Sequence, residues 1–304
     1  MSELTASPGL SWVVPAYNEE GAIVSTLQRL RAALSGLDMK WEIIVVNDGS
    51  RDATRTQAES VEGVRVVSHP VNIGYGSAIK SGIRAARYHW VGIVDADGTY
   101  EIEELSRLVE KMNDGFDMAV AARKNVLSMD KPIKRLARRT LIGFLNLVIG
   151  ASIIDPNSGF RIFKKSLAER FFPFLCNTFS FTTSITVFAL GQRHFVAYVP
   201  LQYFPRTGKS KVRHGRDSIR MLQLVLQGIT FFNPLKFYLM LVIGLLVAFT
   251  LPAILLHLAG LSAIALYWFA TGAVGSLLVG LGTLGDMLRV ASLRHGGGEW
   301  SLND

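Results

Sequence analysis

The chain has 304 residues, of which 49% are hydrophobic, and its mean hydropathy of +0.30 is too high for an ordinary soluble domain of this length. Its single cysteine, Cys176, excludes an intramolecular disulfide and fits a reducing compartment. The net charge of +8 suits nucleic acid or an anionic membrane surface. Two long apolar segments near the end of the chain favour the membrane, so no nucleic-acid partner is predicted.

The first two thirds of the chain, residues 8 to about 205, alternate between strand-like and helix-like segments. The opening residues have neither a basic start nor an apolar stretch, so they are not expected to form a signal peptide. Continuous Val/Ile runs, typical of parallel strands covered on both faces, occur in LSWVVPAY, WEIIVVNDGS, GVRVVSHP, WVGIVDADG and DMAVAAR. Helical patterns lie between them at 19–34, 52–60, 75–87 and 101–113, with Asp52 and Thr99 as predicted N-caps.

This alternation predicts an α/β domain with a doubly wound, mostly parallel sheet. Ligands of such sheets bind at the carboxyl ends of the strands. Polar clusters follow the predicted strands at that edge, in PAYNEE (15–20), VNDGS (46–50), DADGTY (95–100) and NSGFR (157–161).

The most informative cluster is the acidic pair Asp95 and Asp97, which flanks Ala96 directly after an apolar strand. Unpaired carboxylates are costly to bury, so a cation is expected beside them. Mg²⁺ or Mn²⁺ held between these acids and a diphosphate would neutralise the leaving group of a nucleotide sugar. Asp48 is placed to accept hydrogen bonds from a ribose or a base edge, or, in a purely structural role, to cap its turn with Ser50.

A second glycine-rich segment, NIGYGSAIKSG (72–82), departs from the G-x-G-x-x-G spacing and follows the third strand, so nicotinamide binding is disfavoured. Basic residues cluster in FPRTGKSKVRHGR (204–216), where Arg206, Lys209 and Lys211 are candidates for gripping phosphates. The alternative for this cluster is a positive flank beside the membrane. Histidines and the cysteine show no metal-ligand spacing and no nucleophile signature.

The membrane segments come last in the chain. Residues 217–232 have an apolar helical face and a basic one, as expected for an interfacial helix. Residues 131–150 are a second candidate for an interfacial helix. The alternative for this second segment is a core-packed helix with a solvated basic face. Residues 234–261 and 262–285 are each long and apolar enough to span a bilayer, and their short linker predicts a hairpin. Because basic residues flank the hairpin on one side, both termini and the N-terminal domain are expected in the cytosol.

Taken together, the motifs VVPAYNEE, IIVVNDGSRDAT, NIGYGSAIKSGI, IVDADGTY, AAR, DPNSGFRIF and PRTGKSK resemble family 2 glycosyltransferases of the GT-A fold. Within that family they are similar to polyprenyl-phosphate glycosyltransferases of the dolichol-phosphate mannose synthase type. The resemblance covers about residues 8–285. The expected organisation is a cytosolic GT-A domain at 1–214, an interfacial helix at 215–233, a two-span hairpin at 234–286 and a cytosolic tail at 287–304.

The resemblance also implies roles for individual residues. The nucleotide sugar would be bound by Pro15, Tyr17, Glu19, Val46, Asp48, Asp95, Ala96, Asp97, Arg123, Arg206 and Lys211. Asp95, Asp97, Arg123 and Arg206 would be catalytic, with the metal on Asp95 and Asp97. Arg138, Arg139 and Lys209 would bind the acceptor lipid phosphate. Departures from the family pattern are Thr99, Ile142 and Ser184, where relatives often carry Gln, Ser and Glu.

The predicted reaction is metal-dependent, inverting transfer of a hexosyl group from GDP-mannose or UDP-glucose to a dolichyl or undecaprenyl phosphate. Such a phosphate is already largely dianionic at pH 7, because its second pKa is near ~6, so no base is needed to activate it. Two alternatives stay open. One is a polysaccharide-forming transferase, although the Gln-x-x-Arg-Trp motif is absent and two spans make a poor channel. The other is a membrane-tethered nucleotide-sugar-binding protein without turnover. A homo-oligomer is compatible with all three.

Overall fold

The computed structural model describes residues 7–125, 132–178, 180–204 and 234–295. Three candidate phosphate-binding residues, Arg206, Lys209 and Lys211, and the predicted interfacial helix at 217–232 lie outside the described residues. The chain divides into two units, Met1–Met221 and Leu222–Asp304, and each is considered by itself.

The first unit is built on one seven-stranded sheet with the order β3-β2-β1-β4-β6-β5-β7. Its strands are β1 (Ser7–Ala16), β2 (Trp41–Asn47), β3 (Val64–Ser68), β4 (Tyr88–Ile93), β5 (Met118–Arg123), β6 (Arg161–Lys164) and β7 (Val196–Leu201). Neighbours pair in parallel except β6, which is antiparallel to both β4 and β5. The doubly wound, mostly parallel sheet predicted from the sequence is therefore confirmed.

Helices cover both faces of this sheet. They are α1 (Ile23–Ser35), α2 (Thr54–Glu59), α3 (Tyr75–Ala85), α4 (Leu105–Asn113), α5 (Pro132–Ile149), α6 (Lys165–Arg170) and α7 (Phe181–Gly191), with a 3-10 turn at Ile102–Glu104. Alternate residues of β1 point to opposite faces. Trp12 packs in the apolar cluster that contains α1, whereas Val13 meets α3 at Gly82, where any Cβ would collide with its methyl groups.

The structure adds elements that the sequence patterns did not predict, namely β6, β7, α6 and α7. It also corrects the N-cap prediction at Thr99, because the residue preceding the 3-10 turn is Glu101 and the Thr99 hydroxyl bonds elsewhere. At α2 the N-cap position is Ala53, although Asp52 does accept the backbone N–H of Thr54.

The second unit consists of two apolar helical segments joined by a short turn. The first runs through α8 (Pro234–Leu245), a π-helical turn (Leu246–Thr250) and α9 (Leu251–Leu258), and the second is α10 (Ser262–His295). Pro234–Leu258 and Ser262–Gly285 are each long and apolar enough to cross a bilayer.

The π-helical turn has a local cause in Pro252. Proline has no N–H, so the carbonyl of Ala248, four residues earlier, loses its helical partner. The indole Nε1–H of Trp268 donates to that carbonyl from the second helix at 3.1 Å. One turn further along α10, Gly272 leaves room for the ring of Phe249. These contacts join the two helical segments where the first is irregular.

Candidate active site

The carboxyl ends of the parallel strands meet at one edge of the sheet. Pairing of Ala16 with Asn47 and of Val13 with Ile93 brings the segments after β1, β2 and β4 side by side. Because β6 is antiparallel, the segment that precedes it, 155–160, reaches the same edge. All four polar clusters predicted from the sequence therefore converge there.

The acidic pair lies at the centre of this edge. The Tyr75 hydroxyl, from the first turn of α3, donates to Asp95 Oδ1 at 2.6 Å. Thr99 donates to Asp97 Oδ1 twice, from its hydroxyl at 2.7 Å and from its backbone N–H at 3.2 Å. Burial and the nearby charge of Asp95 raise the pKa of Tyr75 well above its usual value, so the phenol keeps its proton and remains a donor.

Two further contacts fix the backbone of the acidic loop. The carbonyl of Ala96 accepts a hydrogen bond from the buried Thr26 hydroxyl of α1 at 3.1 Å. Gly159 lies against the carboxylate of Asp95, where a Cβ would overlap both oxygens, and its N–H donates to the Tyr100 hydroxyl at 2.7 Å. The small residues at 96 and 159 therefore let the loop and the segment before β6 approach closely.

These carboxylates fit a hard divalent cation. Within the described part of the chain, no group of three or more His, Cys, Asp or Glu side chains could enclose a metal. Mg²⁺ commonly takes only one or two protein carboxylates and completes its shell with water and substrate phosphate oxygens. Asp95 and Asp97 supply that number, and neutral hydroxyls of Tyr75 and Thr99 hold them in place. The donor set is thus suited to a metal that arrives with a diphosphate.

Asp48 is buried at the end of β2, where it ties down the loop that leads to α3. Its Oδ1 accepts hydrogen bonds from His69 Nδ1 (2.8 Å) and the Ile73 N–H (3.1 Å), and its Oδ2 accepts the Gly74 N–H (2.9 Å). His69 Nε2 lies 2.9 Å from the Ser81 hydroxyl. The bond to Ser50 that the turn-cap alternative would require is instead made by Asn47, whose Oδ1 accepts the Ser50 N–H.

The segment after β1 is hydrogen-bonded to residues 50–54, which lead into α2. Asn18 adopts a left-handed conformation with φ of 51°, its N–H donates to Ser50 Oγ, and its Oδ1 accepts the N–H of Arg51. The N–H of Glu19 donates to Thr54 Oγ1 at 2.7 Å. Tyr17 and Glu19 are partly exposed at this edge, whereas Pro15 and Val46 are buried within their strands.

Arg123, predicted to contact the donor, forms a buried ion pair. Its guanidinium binds both carboxylate oxygens of Asp155 at 2.7 and 2.8 Å, and it stacks over the ring of Tyr203 at 5.1 Å. Burial by itself would raise the pKa of Asp155, but the hydrogen bonds and charge of Arg123 outweigh it and lower that pKa.

A second arginine, Arg161, is fully buried at the start of β6. It donates to the carbonyls of Pro156, Ser158 and Thr182 and to the Thr186 hydroxyl. Burial lowers its pKa. These bonds fix the loop that approaches Asp95 and fasten it to α7. Ser184, also in α7, accepts the N–H of Cys176.

Lys80 of α3 is buried under the same edge. Its amine donates to the Leu175 carbonyl and to Asn177 Oδ1 at 2.6 Å, and burial lowers its pKa to about 8. Gly76, a turn earlier, has no space for a Cβ against the backbone of residues 176–178. Together, Lys80 and Gly76 fix the start of α3, which carries Tyr75.

The two proposed lipid-phosphate arginines lie on α5, apart from the acidic pair in sequence. Arg138 is partly buried and Arg139 is exposed. Exposed apolar residues on the same helix are Leu136 (67% exposed) and Leu147 (64%). This helix spans the second segment that the sequence offered as an interfacial candidate, and its position at a bilayer surface stays a prediction.

Sequence reasoning gave no role to several residues that organise the site, namely Tyr75, His69, Asp155 and Arg161, and it named Thr99 only as an N-cap and as a departure from the family pattern. Tyr75 and Asp155 belong to motifs that the sequence analysis singled out, but their side-chain targets are distant in the chain. His69 was set aside because it lacks metal-ligand spacing, and its partner is a carboxylate. Spacing could have suggested only Thr99, two residues after Asp97.

A GT-A-like sheet with an aspartate pair after a central strand is typical of glycosyltransferases. The family model "Glycosyl transferase family 2" matches residues 11–172, more than half of the chain, and the protein belongs to this family. The resemblance read from the motifs is thereby confirmed, as is the expectation that the chain is a glycosyltransferase enzyme.

Curated relatives are about 30% identical to the chain over the aligned residues. The low-salt glycan biosynthesis hexosyltransferase Agl6 of Haloferax volcanii is 30% identical over 227 residues, which are 72% of this chain and 54% of Agl6. The dolichyl-phosphate beta-glucosyltransferase ALG5C of Trichomonas vaginalis is 31% identical over 225 residues, 67% of this chain and 66% of the relative. The chain thus spans less than two thirds of the length of either protein.

Among solved structures, glucosyl-3-phosphoglycerate synthase from Mycobacterium tuberculosis is similar in fold. Its complex with Mn²⁺, uridine-diphosphate-glucose and phosphoglyceric acid superimposes with a TM-score of 0.61. The alignment covers 74% of this chain and 80% of the synthase at 22% identity. At this identity the likeness establishes the shared fold.

Proposed function

We propose that the protein transfers a hexosyl group from a nucleotide sugar to the phosphate of a polyprenyl phosphate at the membrane surface. The observation that carries the proposal is the acidic pair Asp95 and Asp97, held by hydroxyl donors at the ligand edge of a glycosyltransferase sheet, in a chain that also has two bilayer-length helices. A relative named as a dolichyl-phosphate beta-glucosyltransferase supports this acceptor class.

On the donor side, Asp95 and Asp97 would hold Mg²⁺ or Mn²⁺ against the diphosphate. The bound ion would supply neutralisation of the leaving nucleoside diphosphate. The chain's own part is positioning, since Tyr75 and Thr99 orient the two carboxylates before the donor arrives. Pro15, Tyr17, Glu19, Val46 and Asp48 border the proposed nucleoside site beside them, and Ala96 leaves room for the diphosphate.

On the acceptor side, a phosphate monoester with a second pKa near ~6 is largely dianionic at pH 7 and is its own nucleophile. Its oxygen would attack the anomeric carbon in line with the departing diphosphate, so that inversion gives a β-linked product from an α-linked donor. No side chain has to remove a proton in this step. Positive side chains must instead bring two anionic reactants together, a role proposed for Arg138, Arg139, Arg206, Lys209 and Lys211.

The proposed setting is an integral membrane protein with two spans and a cytosolic catalytic domain. Lys236 lies near the start of the first span, and Arg289 and Arg294 follow the second, whereas the turn at 259–261 has no charged residue and the nearest titratable one is His257 at the end of α9. Basic residues are retained on the cytosolic side, and this rule supports a cytosolic location for both ends of the proposed hairpin. The lipid acceptor would then be drawn from the cytosolic leaflet.

The test is transfer of radiolabelled sugar into the organic phase by purified full-length protein, with GDP-mannose and UDP-glucose in parallel and Mg²⁺ or Mn²⁺ present. We expect lipid-soluble counts that require polyprenyl phosphate and disappear with EDTA. Transfer to a water-soluble polymer would favour a polysaccharide-forming enzyme. Nucleotide binding without transfer from any donor would favour a membrane-tethered binding protein.

A further inference from the structure

The buried face of α1 carries a polar side chain that contacts the acidic loop, residues 95–100. Of the five residues that this helix buries, four are apolar and the fifth is Thr26, which is fully buried. A threonine inside a helix often turns its hydroxyl back to a carbonyl of the preceding turn. The Thr26 hydroxyl instead donates to the carbonyl of Ala96, 70 residues further along the chain, at 3.1 Å. Burying a hydroxyl is costly without such a partner, so this bond ties α1 to the loop.

The bond from Thr26 acts on the geometry between the two aspartates. Ala96 separates Asp95 from Asp97, and its carbonyl belongs to the peptide group that joins it to Asp97. A peptide group is planar, so a carbonyl held in one direction also fixes the direction of the Asp97 N–H. Rotation of this group would change the separation of the two carboxylates. The hydroxyl donors described above each bind one carboxylate, whereas Thr26 holds the backbone between both.

A second contact from α1 holds the far end of the same loop. Arg29, one turn after Thr26, donates to the carbonyl of Tyr100 at 2.9 Å. Its guanidinium is oriented by two bonds to Glu103, at 2.7 and 2.9 Å. Between the two anchored carbonyls the chain turns at Gly98, where φ is 71° and a Cβ would lie 3.8 Å from the Thr26 hydroxyl. The helix therefore holds the loop on both sides of its turn.

We propose that Thr26 is a positioning residue for the metal site, which sets the separation of Asp95 and Asp97 from outside that site. Because its side chain is fully buried in α1, it is out of reach of substrate and metal. Without the hydroxyl, the Ala96 carbonyl loses its buried donor and its peptide group can turn, so the two carboxylates meet the cation in a less favourable arrangement. Loss of a residue that orients a metal ligand commonly weakens metal binding by about 10–100-fold. The inference deepens the proposed function and rests on its divalent cation.

The experiment measures nucleotide binding by the full-length protein in detergent micelles while the Mn²⁺ concentration is varied, with UDP and GDP in parallel. Thr26→Val keeps the shape of the side chain but replaces the hydroxyl by a methyl group. We expect the Mn²⁺ concentration required for half-maximal binding to rise by about tenfold or more, while nucleotide affinity in EDTA stays as in wild type. Thr26→Ser keeps the hydroxyl and should stay near wild type. An equal Mn²⁺ requirement in the Val and Ser variants would overturn the inference.

Two further variants separate positioning from a general loss of stability. Ser11→Ala removes another fully buried hydroxyl, which lies on the α3 face of β1 and donates to Glu42 at 2.7 Å. It should lower Tm and leave the Mn²⁺ requirement unchanged, and an equal rise in Ser11→Ala and Thr26→Val would contradict positioning. Arg29→Met removes the partly exposed anchor of the same loop and should raise the Mn²⁺ requirement by a smaller factor. If Thr26→Val does not fold, an unchanged requirement in Arg29→Met would overturn the inference.

The binding measurement is separable from the acceptor question, since it contains no lipid. Mn²⁺-dependent binding that weakens in Thr26→Val, without transfer to polyprenyl phosphate by wild type, would support the inference and argue against the lipid acceptor. Transfer to lipid with the same Mn²⁺ requirement in wild type and Thr26→Val would keep the proposed function and overturn the inference. Nucleotide binding by wild type that does not depend on Mn²⁺ would remove the metal from the proposed function and overturn the inference as well.

Discussion

The two halves of the ligand edge hold their charged residues in different ways. The parallel half lies at the carboxyl ends of β2, β1 and β4. There, the carboxylates of Asp48, Asp95 and Asp97 accept hydrogen bonds from hydroxyls, a ring N–H and backbone N–H groups. In the half formed by β6, β5 and β7, Arg123 and Arg161 bind a carboxylate and carbonyls of the chain itself. The first half orients negative charge, and the second uses its positive charge to hold loops together.

The largest effect should come from the acidic pair. Asp97→Ala removes one of the two proposed metal ligands, so sugar transfer is expected to fall by at least about 10²–10³-fold. Stability is expected to fall as well, by about 1–3 kcal/mol, because Asp97 is buried and its loss leaves the Thr99 donors unpaired. Transfer rate, Mn²⁺-dependent nucleotide affinity and Tm are measured together, with Asp114→Asn, at an exposed acid, as control. Full Mn²⁺-dependent binding in Asp97→Ala would contradict the metal role.

In the half that contains Arg123 and Arg161, the main expected effect of a substitution is on stability rather than on sugar transfer. Arg123→Met leaves the buried carboxylate of Asp155 without its ion-pair partner, which should cost about 3–5 kcal/mol of unfolding free energy. The double variant Arg123→Met, Asp155→Leu should recover a large part of that loss, because no buried charge is left. Urea unfolding of the single and double variants measures both. Loss of activity in Arg123→Met with unchanged stability would show that Arg123 acts mainly on the donor.

A smaller effect, on metal affinity, is expected at Thr99, which orients a proposed metal ligand without binding the metal itself. Thr99→Val removes the hydroxyl that bonds to Asp97 Oδ1, and loss of such a supporting bond commonly weakens metal binding by about tenfold or more. Thr99→Ser keeps the hydroxyl and should stay near wild type. The readout is the Mn²⁺ concentration required for half-maximal nucleotide binding. Equal metal affinity in the Val and Ser variants would mean that the backbone N–H of Thr99 is sufficient.

A last effect, on the pH dependence of stability, concerns Lys80. Its amine joins α3 to the 175–178 segment. Its pKa is about 8 in the folded chain and about 10.4 when unfolded, so between these values the unfolded state binds more protons. This group's contribution to stability therefore rises as pH increases from 8 to 10. Relative to Lys80→Met, which cannot titrate, wild type should gain about 2 kcal/mol over that range. Tm of both proteins from pH 7.5 to 10 measures it, and a constant difference would contradict the shift.

The sequence was sufficient to predict the parallel strands that are continuous apolar runs ending in a polar cluster, as in WEIIVVND. It was insufficient for β6, which has four residues, begins with a buried arginine and runs against its neighbours. Arg161 is polar by type and reads as a surface or ligand-binding residue. Its burial depends both on nearby carbonyls of Pro156 and Ser158 and on distant partners in α7.

The candidate site residues were also predicted only in part. Asp95 and Asp97 were recognisable because their spacing and the preceding strand lie within ten residues of each other. The partners that orient or neutralise site residues come from far along the chain, as Tyr75 does for Asp95 and Asp155 for Arg123. Local patterns carry no information about such pairs, so the sequence could name the charges but not their partners.

The contact between Trp268 and the carbonyl of Ala248 has a consequence for biosynthesis. In hydrocarbon a carbonyl without a hydrogen-bond donor costs several kcal/mol, and in the proposed first span Pro252 removes the α-helical donor to the Ala248 carbonyl, to which the Trp268 indole donates. The first span on its own would therefore be an incomplete membrane helix until the indole of the second reaches it. In the proposed membrane setting, the two segments would enter the bilayer as a pair rather than one after the other.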